Sequence, residues 1–476
     1  MKPRDHTKLL GKLAEAYAQH SPKSASLNER AMQTMVDGGS HSLRLIKPFP
    51  PRIVSAKGAW LKDEDGHDIL DFWQGHYANI LGHNPEVVTA VLAQAFQSGY
   101  GLLTGFTEGV QIETAEILCR QTGAERVRFT ISGAMSTMYA ILLARAFTQR
   151  ELVMKVGGGW HGAQPWGVVG VHFYATGGEP WQVESQGLPL GLSQQVINTR
   201  FNDPDMLRDH FRQYGNRLAC FIVEPFVGAG GFILATPEYL HTARQLTDQY
   251  GVALIFDEVV SGFRFRAGDL GALYGVKPDL AAFAKGIGGG MPVAAVAGRA
   301  DMMKLCGREG DNKVMFVGGT YSCHPASMLA ARAQLTYLVA HEQQVYPHIA
   351  RLGEKARRVM EETFAQEGIY VRCTGYGNEV VPGSSVVIPN FPYEEGRELV
   401  TPEDVNDPTV CDTTLRDKVC QLALLLEDVH VVHGGGSVTA AHTEADIVFF
   451  EAACHRAARR IKAGLGSQYS AKQEES

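Results

Sequence analysis

Lys285 closes an apolar run, residues 280–284, and opens a glycine-rich stretch that ends at Pro292, while Asp257 and Glu258 close a second apolar run, 253–256. A lysine between a hydrophobic run and flexible glycines can hold its amine partly out of water, the condition under which it bonds to carbonyl carbon. A carboxylate at a neighbouring strand end can keep a ring nitrogen protonated, so that the ring absorbs the electron pair left when a substrate carbon loses its proton. The two residues together suit a ligand with an electrophilic aldehyde and a basic ring nitrogen. Pyridoxal phosphate has both.

Other runs end in residues that would complete such a pocket. Ser132, Gly133 and Ala134 leave one strand and open a helix, where backbone N–H groups can cradle a phosphate. Trp160 and His161 follow the next strand behind three glycines, and an aromatic there can stack on a planar ring. Glu224 ends a further strand and can brace the lysine or the ring. Thr320, in Gly318-Gly319-Thr320-Tyr321-Ser322, offers a hydroxyl and an N–H to an anion. Each has a plain reading as a turn, a core tryptophan, a cap or a loop. Their arrival at successive strand ends favours one shared pocket.

The elements that must position these residues alternate. Short β-branched runs at 127–131, 152–156, 218–223, 252–256, 280–284 and 293–298 are separated by helical stretches, which predicts an α/β fold with a mostly parallel sheet covered on both faces. Ligands of such sheets gather at the carboxyl ends of strands. Residues 5–36 form an N-terminal helical arm, and 53–72 reads as a hairpin with Asp65-Gly66 at its turn. Beyond residue 335 the pattern changes to a long helix over 340–366, a strand at 369–373, a polar loop over 393–408 and a helix at 444–462. The division predicted is 1–85 (arm and hairpin) joined with 336–476 in a smaller, discontinuous α+β domain, around a large domain at 86–335.

Composition sets limits. Of 476 residues, 45% are hydrophobic and 20% charged, as in ordinary globular proteins, and the net charge of -7 speaks against nucleic acid as partner. No apolar stretch reaches membrane-spanning length and the N-terminus lacks the pattern of a secretory leader, so a cytoplasmic protein acting on small molecules is expected. The eight cysteines form no C-x-x-C pair and are read as free thiols; no metal site is expected, His430 and His433 lacking companions at ligand spacing.

Taken together, the motifs resemble the class III aminotransferases, fold type I pyridoxal phosphate enzymes that include glutamate semialdehyde aminomutase and β-amino-acid and amine transaminases. The resemblance lies in the run from Gly58 through Trp60 to Gly66, Gly82-His83-Asn84-Pro85, Asp257 to Arg264, Lys285-Gly286 with Gly289 to Pro292, Gly319 to Ser322, and Ala441 to Asp446. It implies that Lys285 carries the cofactor as an imine, Asp257 pairs with the pyridine nitrogen and Val259 packs beneath the ring. It further implies that Ser132, Gly133 and Ala134 hold the phosphate, Trp160 stacks, and Thr320 completes the phosphate site of the neighbouring subunit of a homodimer.

There are departures. The phosphate turn of the family usually reads Ser-Gly-Thr-Glu and here reads Ser132-Gly133-Ala134-Met135, one hydroxyl fewer. Aminomutases of the family carry an acid ahead of the Ala-His-Thr signature, where this chain has Gly434-Gly435-Gly436-Ser437. Arg44 lies where aminomutases and β-amino-acid aminotransferases place a carboxylate-binding arginine, and Trp73, His76, Tyr77 and Phe106 are candidates for the pocket entrance. The activity implied is transfer of an amino group between an amine or amino acid and a carbonyl acceptor. The alternatives are an aminomutase or epimerase, and a non-catalytic cofactor-binding relative, whose mark would be loss of the lysine or the aspartate.

Overall fold

A computed structural model describes residues 4–171, 184–189, 191–308 and 314–465. At its centre is a seven-stranded sheet formed by β1 (Arg126–Thr130), β2 (Leu152–Val156), β3 (Val196–Thr199), β4 (Leu218–Val223), β5 (Ala253–Asp257), β6 (Leu280–Phe283) and β7 (Ala294–Gly298). Their order across the sheet is β1-β7-β6-β5-β4-β2-β3. Every residue of β2 to β7 is buried, as in a sheet that helices cover on both faces.

Neighbours pair in parallel from β6 to β3, whereas β7 is antiparallel to both β6 and β1. The sheet is therefore mostly parallel, as expected, with β7 alone reversed. Strand β3 was not legible in the sequence, because Asn198 and Thr199 break its apolar run. Since β1, β2, β4, β5 and β6 all run one way, Ser132, Trp160, Glu224, Asp257 and Lys285 collect at a single edge.

The stretch 53–72 is a three-stranded meander rather than a hairpin, Ile53–Lys57, Trp60–Asp63 and Asp68–Asp71, with Gly66 in the second turn at φ 99°. Val429–His430 extends it in parallel beside Asp68–Asp71, so sequence ends share one sheet. The arm is two helices, Thr7–His20 and Pro22–Met32, broken at Ser21 because the residue before a proline avoids helical geometry. Leu9, Leu13 and Tyr17 form the buried face of the first. Helices Glu342–Gln366 and Glu444–Leu465 pack on each other, and the loop expected over 393–408 contains the helical turn Pro402–Asn406, started by a Thr401–Asp404 capping box. Among the described residues no helix is long and apolar enough to cross a membrane, and the eight cysteines are free.

Candidate active site

Lys285 follows β6 after one extended residue and opens the turn Lys285–Ile287 with φ 45°. A left-handed lysine carries a strain of about 1–2 kcal/mol, which persists only where the surroundings enforce it. Gly286 allows the close approach: a Cβ there would lie 2.7 Å from Ile80 Cδ1. Burial holds the amine of Lys285 below the usual lysine value, against the opposing pull of Asp257 and Glu224.

Asp257 is the buried last residue of β5. One carboxylate oxygen accepts the N–H of Val259 at 3.0 Å, and the other accepts Nδ1–H of His161 at 2.8 Å. His161 is equally buried; burial lowers its pKa, and its Nε2 has no hydrogen-bond partner. Glu224, just past β4, accepts the N–H groups of Trp160 and Gly228, each at 2.9 Å. Burial, and then the charge of Asp257, pushes its carboxyl up to about 8. The ring of Trp160 is 41% exposed, so it does not serve as core filling.

Lys155, inside β2, is wholly buried and donates to the carbonyls of Gly159 at 2.9 Å and Val169 at 2.8 Å. Burial lowers its amine to about 8. It anchors the glycine turn that carries Trp160 and His161. Sequence reasoning passed over it, although a charge within Leu152-Val153-Met154-Lys155-Val156 was a usable signal.

At the end of β1, Ser132 Oγ accepts Met135 N–H at 3.3 Å and so caps the helix Gly133–Thr148. The first N–H groups of a helix lack carbonyl partners, which suits an anion. A Cβ on Gly133 would stand 2.9 Å from both methyls of Val259, so this turn lies directly against the residue that follows Asp257-Glu258. Gly162 meets Ala134 as closely, joining the turn after β2. The residues fit pyridoxal phosphate: an amine at one side, a buried carboxylate with lone pairs to spare, and an anion-binding helix start in contact through Val259.

Thr320 is exposed, beside Gly319, which faces Ile131 and Met135. Arg44 is exposed on the turn Ser42–Arg44; its charge and that of Lys285 add to burial in lowering the pKa of His41. Gln74, Gly75, His76 and Tyr77 form a left-handed turn, φ 50°, 62°, 66° and 62°, packed against Lys285–Ile287. Asp71 fixes its start by accepting the N–H groups of Trp73 and Gln74 at 2.9 Å, and is itself held by His83 at 2.7 Å and His430 at 2.8 Å. Arg264 donates to Tyr77 O at its end. The ring of His76 stands edge-on to those of Trp73 and His41, each 5.1 Å away, and burial and the Lys285 charge lower its pKa to about 3. Tyr77 is buried against Phe232, whereas Phe106, 83% exposed, lies outside this cluster. Nothing in the sequence singles out His41.

The family profile described as Aminotransferase class-III matches residues 46–378. A glutamate-1-semialdehyde 2,1-aminomutase of Thermoplasma acidophilum is 35% identical over 356 residues, 74% of this chain and 82% of that protein. Among solved structures, a β-phenylalanine aminotransferase from Variovorax paradoxus superposes with TM-score 0.82 at 27% identity, covering 98% of this chain and 99% of that one. A transaminase with pyridoxal phosphate bound gives TM-score 0.79 at 26% identity, covering 93% and 98%.

Proposed function

Because this chain belongs to the class III aminotransferases, with the type I fold and pyridoxal phosphate as cofactor, we propose that it transfers an amino group between an amine or amino acid and a carbonyl acceptor in two half-reactions. The cofactor, when bound, supplies an aldehyde to take up the amine and a ring to absorb electrons. Lys285 Nζ, lowered in basicity by burial, takes a proton from the substrate carbon and returns it. Asp257, held by His161, keeps a negative charge in place to face the ring nitrogen. Ser132, Gly133 and Ala134 bind the phosphate, Trp160 covers the ring and Val259 supports it.

One observation favours transfer over rearrangement. A Cβ on Gly435 would lie 2.0 Å from Val387 O, and one on Gly436 2.2 Å from Phe72 O, so no acid fits at either of these two positions in the stretch where the resemblance to aminomutases calls for one. The aminomutase reading has its support in the 35% identity to the Thermoplasma protein. An isotope-labelled amine separates the two: label in an added keto acid supports transfer, and label retained in one carbon skeleton overturns it.

The substrate class proposed is an amino acid whose carboxylate meets Arg44, with His41, Trp73, His76 and Tyr77 lining that side. We place the enzyme in the cytoplasm as a homodimer in which Thr320 completes the partner's phosphate site. Met315, Val317 and Tyr321, which flank Thr320, are 84%, 69% and 59% exposed, an apolar strip suited to a second copy. The smaller discontinuous domain, 1–85 with 336–476, belongs to the same proposal. Sedimentation of the loaded enzyme tests the dimer.

A further inference from the structure

Away from the Lys285 pocket, three segments distant in sequence bring together His20, His67 and Asp428, whose ligand-type atoms all lie within 4.8 Å of one another. His20 ends the helix Thr7–His20, His67 precedes the strand Asp68–Asp71, and Asp428 precedes the strand Val429–His430 that pairs with it. The two imidazoles stack with centroids 3.9 Å apart.

Each ring has its Nδ1 engaged elsewhere. That of His20 meets Ser21 Oγ at 2.8 Å, and that of His67 donates to Asp63 Oδ2 at 2.9 Å. Asp63 is buried and also accepts the backbone N–H of His67 at 2.8 Å, which fixes the ring and leaves the lone pair on Nε2. A carboxylate behind an imidazole is the arrangement that orients a metal-binding histidine and raises its basicity. Asp428 Oδ1 is a buried atom that faces His20 Nε2 at 3.6 Å, an ion pair that raises the pKa of His20, and accepts no closer hydrogen bond. The nearby Asp65 is committed to the N–H groups of Lys23 and Ser24 and to Ser24 Oγ.

We propose that His20 Nε2, His67 Nε2 and Asp428 Oδ1 form a binding site for a divalent transition-metal ion of the zinc class, separate from the cofactor pocket. Two nitrogens and one carboxylate are a donor set for such ions rather than for magnesium or calcium. Ligands bonded at 2.0–2.1 Å in a tetrahedron lie about 3.3 Å apart, close to the separation between His20 and Asp428. Two imidazoles on one ion need centroids about 5 Å apart, so the stack opens by about 1 Å on binding. Side chains 22% and 24% exposed have room for that, and Asp428, 34% exposed, leaves the fourth position to water. The ion ties the N-terminal helix to the meander and to the strand beside it.

The test uses untagged, cofactor-loaded enzyme stripped with a chelator and titrated with zinc chloride or cobalt chloride alone. One ion per chain and the visible bands of four-coordinate cobalt are expected, with a higher melting temperature. Asp428→Asn and His67→Phe are each expected to weaken binding by at least about 10-fold to 100-fold, the range that loss of an outer-sphere partner alone gives. Asparagine tolerates the left-handed backbone of Asp428, φ 56°, so this variant keeps its fold, which circular dichroism and the bound-cofactor spectrum verify. Wild-type enzyme that takes up no more metal than the two variants overturns the proposal.

Discussion

His161 donates its Nδ1 hydrogen to Asp257 Oδ2 over 2.8 Å, and both side chains are almost wholly removed from water. A hydrogen bond to a charged group contributes about 1.5–3 kcal/mol, more than ten-fold in an equilibrium constant. His161→Phe is therefore expected to weaken cofactor binding at least ten-fold by leaving Asp257 short of a donor. Titrating the apo variant with pyridoxal phosphate measures this, and unchanged affinity would remove His161 from the set of residues that position Asp257.

Lys285→Ala is expected to reduce kcat by about 10²–10⁴, the range that loss of a positioned proton-transfer group gives. Alanine takes the left-handed backbone at position 285, φ 45°, with about the same strain as lysine, so the variant should remain folded. Borohydride reduction of wild-type holoenzyme followed by peptide mapping should find the label on residue 285. A label elsewhere counts against the whole site.

Gly133→Ala pushes a methyl to within 2.9 Å of both Val259 methyls. It should weaken cofactor binding, and Val259→Ala should restore part of the loss. The measurement is a double-mutant cycle on cofactor affinity, with a coupling of about 0.5–3 kcal/mol expected for side chains in contact. Additive effects would count against the proposal that the turn at 132–134 and Val259 act on the cofactor together.

Glu224 and Lys155 tilt stability with pH in opposite directions. Burial raises Glu224 from 4.5 to about 8, so across that window the folded chain holds a proton the unfolded chain has released, and stability falls as pH rises. Lys155 is lowered from 10.5 to about 8, so above pH 8 the folded chain binds fewer protons and stability rises up to about 10.5. Urea midpoints of wild type and Glu224→Gln at pH 5 and pH 8 check the first limb. The fall between them should flatten in the variant.

What the sequence reveals depends on how locally a feature is encoded. Lys285 and Asp257 stand out because a charge ends an apolar run, and the parallel sheet then delivers both to one edge. Strand β3 escapes because Asn198 and Thr199, though buried, leave no hydrophobic run to read. The left-handed turn at 74–77 is hidden for another reason: Gly75 alone hints at positive φ, while Asp71 and Arg264 enforce it through tertiary contacts. His41 beside His76, and His20 beside His67, are brought together by the fold across long gaps in sequence, so no spacing rule could pair them.

The handedness of residues 74–77 also limits how the pocket can be redesigned. Positions 74, 76 and 77 hold non-glycine residues at φ 50°, 66° and 62°, a backbone that glycine, asparagine and aspartate accept with least strain. β-Branched replacements there would unwind the turn before they reshaped the space beside Lys285, so libraries aimed at new substrates do better to leave this corner intact.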